Sequence, residues 1–187
     1  MKICVEGVYY HAVTMGSGEP VILLHGFTGD TGTWSHLTRD LAKKYRVIAV
    51  DIIGHGKTES PADVSRYDIS QCAEDVIHLL DELQIRQAHL LGYSMGGRLA
   101  LTVAVLFPER VKSLMLESAS PGLKKEVERK QRVEQDENLA DMILGQGIER
   151  FTDYWESIPL FKTQKKLPGN IREQIRNQRM RNNPIGL

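Results

Sequence analysis

With 187 residues, 41% of them hydrophobic and 26% charged, the chain has the length and composition of one globular domain, which excludes disordered and fibrous proteins. The formal net charge of zero argues against a general nucleic-acid binder, so we expect no nucleic-acid partner. No apolar run is long enough for a signal peptide or a membrane span, so we expect a cytoplasmic protein without a membrane partner.

Short apolar runs alternate with amphipathic stretches over residues 1–119, which is the pattern of a mostly parallel sheet flanked by helices. This pattern predicts a core of six strands and the fold class α/β. Helices are expected at residues 34–44, 69–83 and 96–107, the last of them ended by Pro108. Five of the six strands can be placed, at residues 8–13, 21–24, 47–50, 88–91 and 111–116, and the first of these five is expected to be antiparallel.

The character of the chain changes at Pro121-Gly122, and residues 120–187 predict a helical lid without strands. Its helical stretches are expected at residues 123–144, 147–157 and 171–182, separated by Gly145, Pro159 and Pro168-Gly169. Residues 1–119 carry 11 basic and 14 acidic side chains, whereas residues 120–187 carry 13 basic and 10 acidic ones. The positive balance of the lid fits either solvated helix faces or cations that serve an anionic ligand.

A G-x-S-x-G motif places Ser94 between Gly92 and Gly96, directly after one predicted strand and before a predicted helix. This context is the one that a nucleophile elbow requires. The serine must sit on a sharp, strained turn, and small neighbours let the backbone pass close to it. The motif therefore predicts Ser94 as the catalytic nucleophile or base.

A serine elbow needs an oxyanion hole of backbone N–H groups, and the sequence HGFTG at residues 25–29 follows the predicted strand 21–24. The partner loop of such an elbow belongs at this position. The N–H groups of Phe27 and Met95 are the expected pair of donors.

Two histidines near these motifs could be mistaken for the general base. We interpret His25, just before the glycine of the loop, as a residue that holds the loop by hydrogen bonds. His55 precedes Ser94 in the chain, whereas this fold carries its triad in the order serine, acid, histidine. We therefore expect a loop-organising role for His55 as well.

Four motifs together resemble the 2-succinyl-6-hydroxy-2,4-cyclohexadiene-1-carboxylate (SHCHC) synthases, which have the α/β-hydrolase fold with a helical lid. The motifs are HGFTG, DIIGHGKTESP, GYSMGGR and ESASPGL. More selective marks are Arg98 after the elbow, the Pro121-Gly122-Leu123 start of the lid, ERKQRVEQDENLA at residues 128–140, and RMRNNP at residues 179–184. The resemblance spans essentially all 187 residues.

The resemblance implies a lyase of menaquinone biosynthesis that eliminates pyruvate from a succinyl-cyclohexene carboxylate bearing an enolpyruvyl ether. In this family the serine, deprotonated by the triad histidine, abstracts a proton and forms no acyl-enzyme. The implied partner is a small-molecule polycarboxylate substrate. Neither the resemblance nor the spacing of Cys4 and Cys72 calls for a metal or a cofactor, and we expect both cysteines as free, buried thiols.

Three arginines match the carboxylate-binding positions of the family, namely Arg98, Arg132 and Arg179. The planar guanidinium fork suits a carboxylate, which agrees with that role. A solvated helix face is the rival interpretation for Arg132, and Arg176 or Arg181 could take the place of Arg179. Tyr93 also matches a position of the family and is expected to contact the substrate, with simple packing against the sheet as the alternative. Trp155, in DYWESIPLF, is expected to line the inner face of the lid and to contact the substrate there, with apolar packing between lid and core as the alternative.

The family pattern continues beyond the lid with two more strands, one followed by the triad acid and the other by the triad histidine. Residues up to Leu187 include neither strand, and no histidine follows His89. We expect these 187 residues to be part of a longer polypeptide, a natural truncation that folds with a partner, or a non-catalytic binder. The functional alternatives are a carboxylesterase or C–C bond hydrolase of the same fold, and an inactive ligand-binding fragment.

Overall fold

The computed structural model describes residues 1–187 and contains one six-stranded mixed sheet with strand order β1-β2-β4-β3-β5-β6. The first two strands form an antiparallel hairpin, and β2 also pairs antiparallel with β4. The other four strands are parallel to one another, as the sequence predicts. The strands are β1 (Lys2–Val5), β2 (Val8–Met15), β3 (Glu19–Leu24), β4 (Tyr45–Val50), β5 (Ala88–Tyr93) and β6 (Val111–Glu117).

The centre of the sheet consists of β3 and β4, whose continuous apolar runs are buried on both faces. Their register pairs Val21 with Val47 and Leu24 with Val50. All residues of 21–24 and 47–50 are buried, as expected for strands covered by helices on both sides. The edge strand β1 is the strand that the sequence analysis does not place. It carries Cys4 on its exposed face, so the expectation that both thiols are buried is wrong for Cys4 and is confirmed for Cys72.

Helices cover the two faces of the sheet unequally. One face packs against α1 (Ser35–Leu41) and the 3-10 turn Thr31–Trp34 before it, around the buried Trp34. The other face packs against α2 (Ile69–Glu82) and α3 (Met95–Leu106) and forms the larger core. Asp68 caps α2 by accepting hydrogen bonds from the N–H groups of Ser70 and Gln71.

Residues that follow β6 are helical and contribute no strand. They form α4 (Glu126–Ser157), the 3-10 segment Pro159–Lys166 and α5 (Gly169–Met180). The sequence analysis expected the first break at Gly145, but the helix continues through Gly145 and breaks at Gly147, which has φ 83° and ψ 165°. Of the long α4, only Ile143, Phe151 and Thr152 are buried, so the helix contacts the core through its second half. No helix combines the length and the apolar character needed to cross a bilayer.

Candidate active site

Ser94 occupies the tight turn between β5 and α3. Its backbone has φ 52° and ψ −112°, which lies in a region that non-glycine residues adopt at a cost of about 1–3 kcal/mol. Two hydrogen bonds hold this conformation: the Ser94 N–H donates to the carbonyl of Glu117 at 2.9 Å, and the Ser94 carbonyl accepts from the N–H of Arg98 at 3.1 Å. The strained turn that the G-x-S-x-G motif predicts is therefore present.

The glycines of the motif are required by close backbone contacts. A Cβ atom on Gly92 would lie 2.5 Å from the Cα of Gly97 and would also overlap the carbonyl of Gly96. A Cβ atom on Gly96 would overlap the carbonyls of Leu24 and His25. The elbow thus packs directly on the carboxyl end of β3, where the HGFTG loop begins.

The HGFTG loop lies against the elbow. Its turn is closed by a hydrogen bond from the N–H of Gly29 to the carbonyl of Gly26 at 2.9 Å. The Phe27 N–H makes no hydrogen bond within the protein. Met95 is the first residue of α3, so its N–H has no acceptor within the helix. Both expected donors are therefore free to bind an anionic oxygen beside Ser94.

His25 is a buried connector between the HGFTG loop and the loop after β4. The N–H of Ile52 donates to its Nε2 at 3.0 Å, so Nε2 carries the lone pair. Nδ1 must then carry the proton and donate to the carbonyl of Gly26 at 2.8 Å. Burial lowers the pKa of His25 to about 4, so the ring is neutral at physiological pH. The loop-holding role expected for His25 is confirmed by these bonds.

His55 also lies in the interior. Its Nδ1 donates to the carbonyl of Ile53 at 3.0 Å, and its Nε2 is buried without a hydrogen-bond partner. Burial first, and then the neighbouring His25 ring 5.2 Å away, lower the pKa of His55 to about 3. None of the six histidines of the chain hydrogen-bonds to Ser94.

Arg179 projects from α5 into the interior and is only 5% exposed. It donates to Glu156 Oε1 and to Gln164 Oε1, both at 3.0 Å, and its guanidinium lies 4.8 Å from the centre of the Phe161 ring. Burial lowers the pKa of Arg179, while Glu156 and, more weakly, the hydroxyl of Tyr93 act to raise it. The contacts of Arg179 that the structure shows are thus all with residues of the lid segment, namely Glu156, Gln164 and Phe161.

The other two arginines have different surroundings. Arg98 is half-buried in the first turn of α3 and makes no ion pair, so its charge is available to a ligand. Arg132 lies on an exposed face of α4, where its Nε donates to the carboxylate of Asp136 at 2.7 and 2.8 Å. The structure joins Arg132 to no residue of the core, and its substrate-binding role stays a prediction.

Aromatic side chains connect the lid segment to the HGFTG loop. The Trp155 ring lies 5.5 Å from Phe27, 5.7 Å from Phe151 and 5.5 Å from Phe161, measured between ring centres. Its indole N–H is buried without a partner. Trp155 therefore lies on the inner face of the lid, above one of the two expected oxyanion donors.

Two cavities adjoin this region and differ in polarity. One, of about 230 Å³, is apolar and is lined by Phe27 and Met95 together with His55. The other, of about 430 Å³, lies beside Arg179 and has four cationic side chains against two carboxylates. The four cations are Lys165, Arg172, Arg176 and Arg179.

Three polar side chains that hold the site together were missed by the sequence analysis. Asp51, 1% exposed, accepts hydrogen bonds from the N–H groups of Thr31 and Lys57 and from His11. Asp30 and Asn182 connect the end of α5 to the HGFTG loop. Only Asp51 could have been identified from the sequence. It is an acidic residue directly after a buried strand, and such a residue lies at the carboxyl edge of the sheet, where sites form.

Comparison with known proteins gives a consistent picture. Residues 19–155 match a family described as alpha/beta hydrolase fold. A Bacillus subtilis (strain 168) protein, provisionally named 2-succinyl-6-hydroxy-2,4-cyclohexadiene-1-carboxylate synthase, is 45% identical over 184 residues, which are 97% of this chain and 67% of that protein. The structure of MenH from S. aureus matches with a TM-score of 0.87 and 34% identity, over 95% of this chain and 67% of that one.

A third relative matches a shorter part of the chain. The dihydrolipoyllysine-residue acetyltransferase component of the acetoin cleaving system from Pseudomonas putida is 49% identical over 106 residues, which are 57% of this chain and 28% of that protein. The chain thus spans about two thirds of the length of the two relatives that match it nearly throughout.

Proposed function

This chain belongs to the α/β-hydrolase fold family, and from that membership we propose that its polypeptide is an SHCHC synthase. The reaction eliminates pyruvate from 2-succinyl-5-enolpyruvyl-6-hydroxy-3-cyclohexene-1-carboxylate. The observation that carries the proposal is the cavity of about 430 Å³ in the lid segment, which is lined by four cationic side chains against two carboxylates. An excess of cations around a cavity suits a polycarboxylate substrate, whereas a neutral ester does not need it.

The proposed reaction needs a base and an oxyanion site but no cofactor. The hydrogen on ring carbon 2 is acidic because it lies next to the ketone of the succinyl group and next to the ring double bond. Removing it moves the electron pair through the ring, forms the 2,4-diene and breaks the bond from carbon 5 to the ether oxygen. Pyruvate leaves as its enolate and takes up a proton. Negative charge develops on the ketone oxygen during the first step.

The residues around Ser94 suit this sequence of events. Ser94 is proposed to take the proton from carbon 2, and the N–H groups of Phe27 and Met95 to stabilise the ketone oxygen. An unactivated serine is a weak base, and none of the six histidines of the chain hydrogen-bonds to it. The proposal therefore requires a general base from outside these 187 residues.

The charges and cavities support a substrate of this kind. Arg98, which has no ion-pair partner, and Arg179 are proposed to bind two of the substrate's three carboxylates. Arg179 can bind a carboxylate only in exchange for Glu156 or Gln164. Arg132 can join the other two only by leaving Asp136, and an exposed pair of this type contributes less than about 1 kcal/mol. The apolar cavity beside Phe27 and Met95 is proposed to receive the ring.

The test measures pyruvate released from the succinyl-enolpyruvyl substrate by the polypeptide purified from its own source. The intact mass of the purified polypeptide is measured before the assay. A mass near 21.1 kDa predicts a protein that binds a dicarboxylate without turnover, and a larger mass predicts an active enzyme. For the active form, Ser94→Ala should abolish pyruvate release and Arg98→Ala should lower it at least about tenfold. Arg150→Ala is the matched control, since Arg150 is an exposed lid arginine without an ion-pair partner. Unchanged turnover in the first two variants would refute the proposal.

The second candidate function is ester or C–C bond hydrolysis. It is favoured by the similarity of 57% of this chain to a component named as an acetyltransferase, a name that indicates acyl transfer. The strained serine with two free N–H groups beside it suits acyl transfer equally well. Rapid hydrolysis of short p-nitrophenyl esters without pyruvate release would support this alternative.

A further inference from the structure

The segment that follows α5 is joined to the HGFTG loop by a buried asparagine. Asn182 is 3% exposed, and its Nδ2 donates to the carbonyl of Thr28 at 2.9 Å. Its Oδ1 accepts from the N–H of Gly56 at 3.0 Å. One side chain of the lid segment therefore bridges the two loops that border the Ser94 turn.

The carbonyl that Asn182 binds belongs to a strained residue. Thr28 has φ 68°, a left-handed conformation that a β-branched residue adopts at a cost of about 1–2 kcal/mol. The turn therefore tends to relax unless contacts from elsewhere hold it. Relaxation of Thr28 would rotate the turn that carries the N–H of Phe27. The hydrogen bond from Asn182 opposes this rotation directly.

A second connection between the same segments runs through Asp30, which is also buried. The carboxylate of Asp30 accepts from Gln178 Nε2 at 2.5 Å and from Arg181 Nη2 at 3.0 Å. The side chain of Arg181 is 65% exposed, and exposed ion pairs contribute at most about 1 kcal/mol. Asp30 follows the turn, whereas Asn182 binds the carbonyl of the strained Thr28 itself, and losing the partner of such a buried group costs about 1–3 kcal/mol.

We propose that Asn182 is a positioning residue for the oxyanion hole. When α5 is docked, the hydrogen bond from Asn182 holds the turn at Thr28 in place. This turn sets the direction of the Phe27 N–H. The inference rests on the proposed role of Phe27 as an oxyanion donor. It makes turnover depend on a lid side chain that has no contact with the substrate.

The kinetic test uses Asn182→Asp, which keeps the volume and the acceptor for Gly56 but removes the donor to Thr28. Asn170→Asp is the matched control, because Asn170 is exposed at the start of α5 and its side chain makes no hydrogen bond. We expect kcat to fall at least about tenfold with KM within about twofold, both for pyruvate release and for p-nitrophenyl acetate hydrolysis. An increase in KM at unchanged kcat would overturn the inference.

A second measurement does not depend on turnover. Hydrogen exchange at the amides of residues 26–33 of the 187-residue chain should be faster in Asn182→Asp than in wild type and Asn170→Asp, with β5 unchanged. Equal exchange in all three proteins would overturn the inference. Absence of pyruvate release by wild-type protein would refute the proposed function alone, because ester hydrolysis and hydrogen exchange still report on the turn.

Discussion

Gly26 faces Ser94 so closely that a Cβ atom added to Gly26 would lie 3.4 Å from the Cβ of Ser94 and 2.8 Å from the Tyr93 ring. Gly26→Ala should therefore push the HGFTG loop away from the serine. We expect turnover to fall at least about tenfold, since oxyanion donors act only at short range. Gly145→Ala is the control, because a Cβ atom there meets nothing within 4 Å. Equal activity of the two variants would contradict the packing described for the loop.

Ser94 itself is expected to lower the stability of the fold. Because its φ is 52°, Ser94→Gly should raise the free energy of unfolding by about 1 kcal/mol while abolishing the proposed activity. Gln84, exposed at the end of α2 with φ 56°, provides the comparison. Gln84→Gly should stabilise the protein by a similar amount without any loss of turnover. Urea titrations and activity assays on both variants check this, and a destabilised Ser94→Gly protein would show that the turn is not strained.

A buried carboxylate connects the N-terminal hairpin to α2. Asp75, fully buried, accepts from the Tyr10 hydroxyl at 2.6 Å and from Arg66 Nη2 at 3.0 Å. Burial and the hydrogen bond to Asp75 raise the pKa of Tyr10, so the phenol stays protonated. Tyr10→Phe should cost about 1–3 kcal/mol of unfolding free energy because Asp75 loses a donor. Tyr9→Phe, in the exposed position next to it, should cost less than about 0.5 kcal/mol.

Two buried histidines predict a loss of stability in mild acid. The folded-state pKa values of His25 and His55 are lowered to about 4 and about 3. Below an unfolded-state pKa of about 6.5, the unfolded chain binds protons that the folded protein does not. The free energy of unfolding should thus be at its full value above about pH 6.5 and should fall as the pH drops toward 4. Each of the two histidines contributes at most about 1.4 kcal/mol to this fall for every pH unit.

The control for this pH dependence removes one buried imidazole at a time. His55→Gln should flatten the dependence of the unfolding free energy between pH 6.5 and 4 relative to wild type. The His36→Gln variant is the control, because it also removes one imidazole from the chain but removes an exposed one. An identical pH profile in His55→Gln and His36→Gln would mean that burial does not lower the pKa of His55 in the folded protein.

Much of the fold could be predicted because its signals are local. The apolar runs at Val21 and Val47 identify the central strands, and the three glycines around Ser94 identify the turn between β5 and α3. The strand β1 escaped because four residues offer too short an alternation to be distinguished from a loop. The break in α4 was placed at Gly145 because either glycine could end a helix, and only the backbone angles single out Gly147.

The candidate site was harder to predict, because its polar contacts join residues far apart in the chain. Arg132 and Asp136 are four residues apart, a spacing that favours an ion pair on one helix face. By contrast, nothing in the sequence near Asn182 indicates Thr28 as its partner, since the two are separated by 154 positions. Such pairings follow from the path of the whole chain.

That separation has a consequence for the nascent chain. Thr28 leaves the ribosome long before Asn182 has been synthesised. At about 5–20 residues per second, the 154 intervening positions correspond to a delay of roughly 8–30 s. During this interval the core strands can pair, but the turn beside the serine lacks its buried hydrogen bond. In the growing polypeptide the turn that carries the Phe27 N–H would thus be held in place only after α5 and Asn182 have been made and have docked.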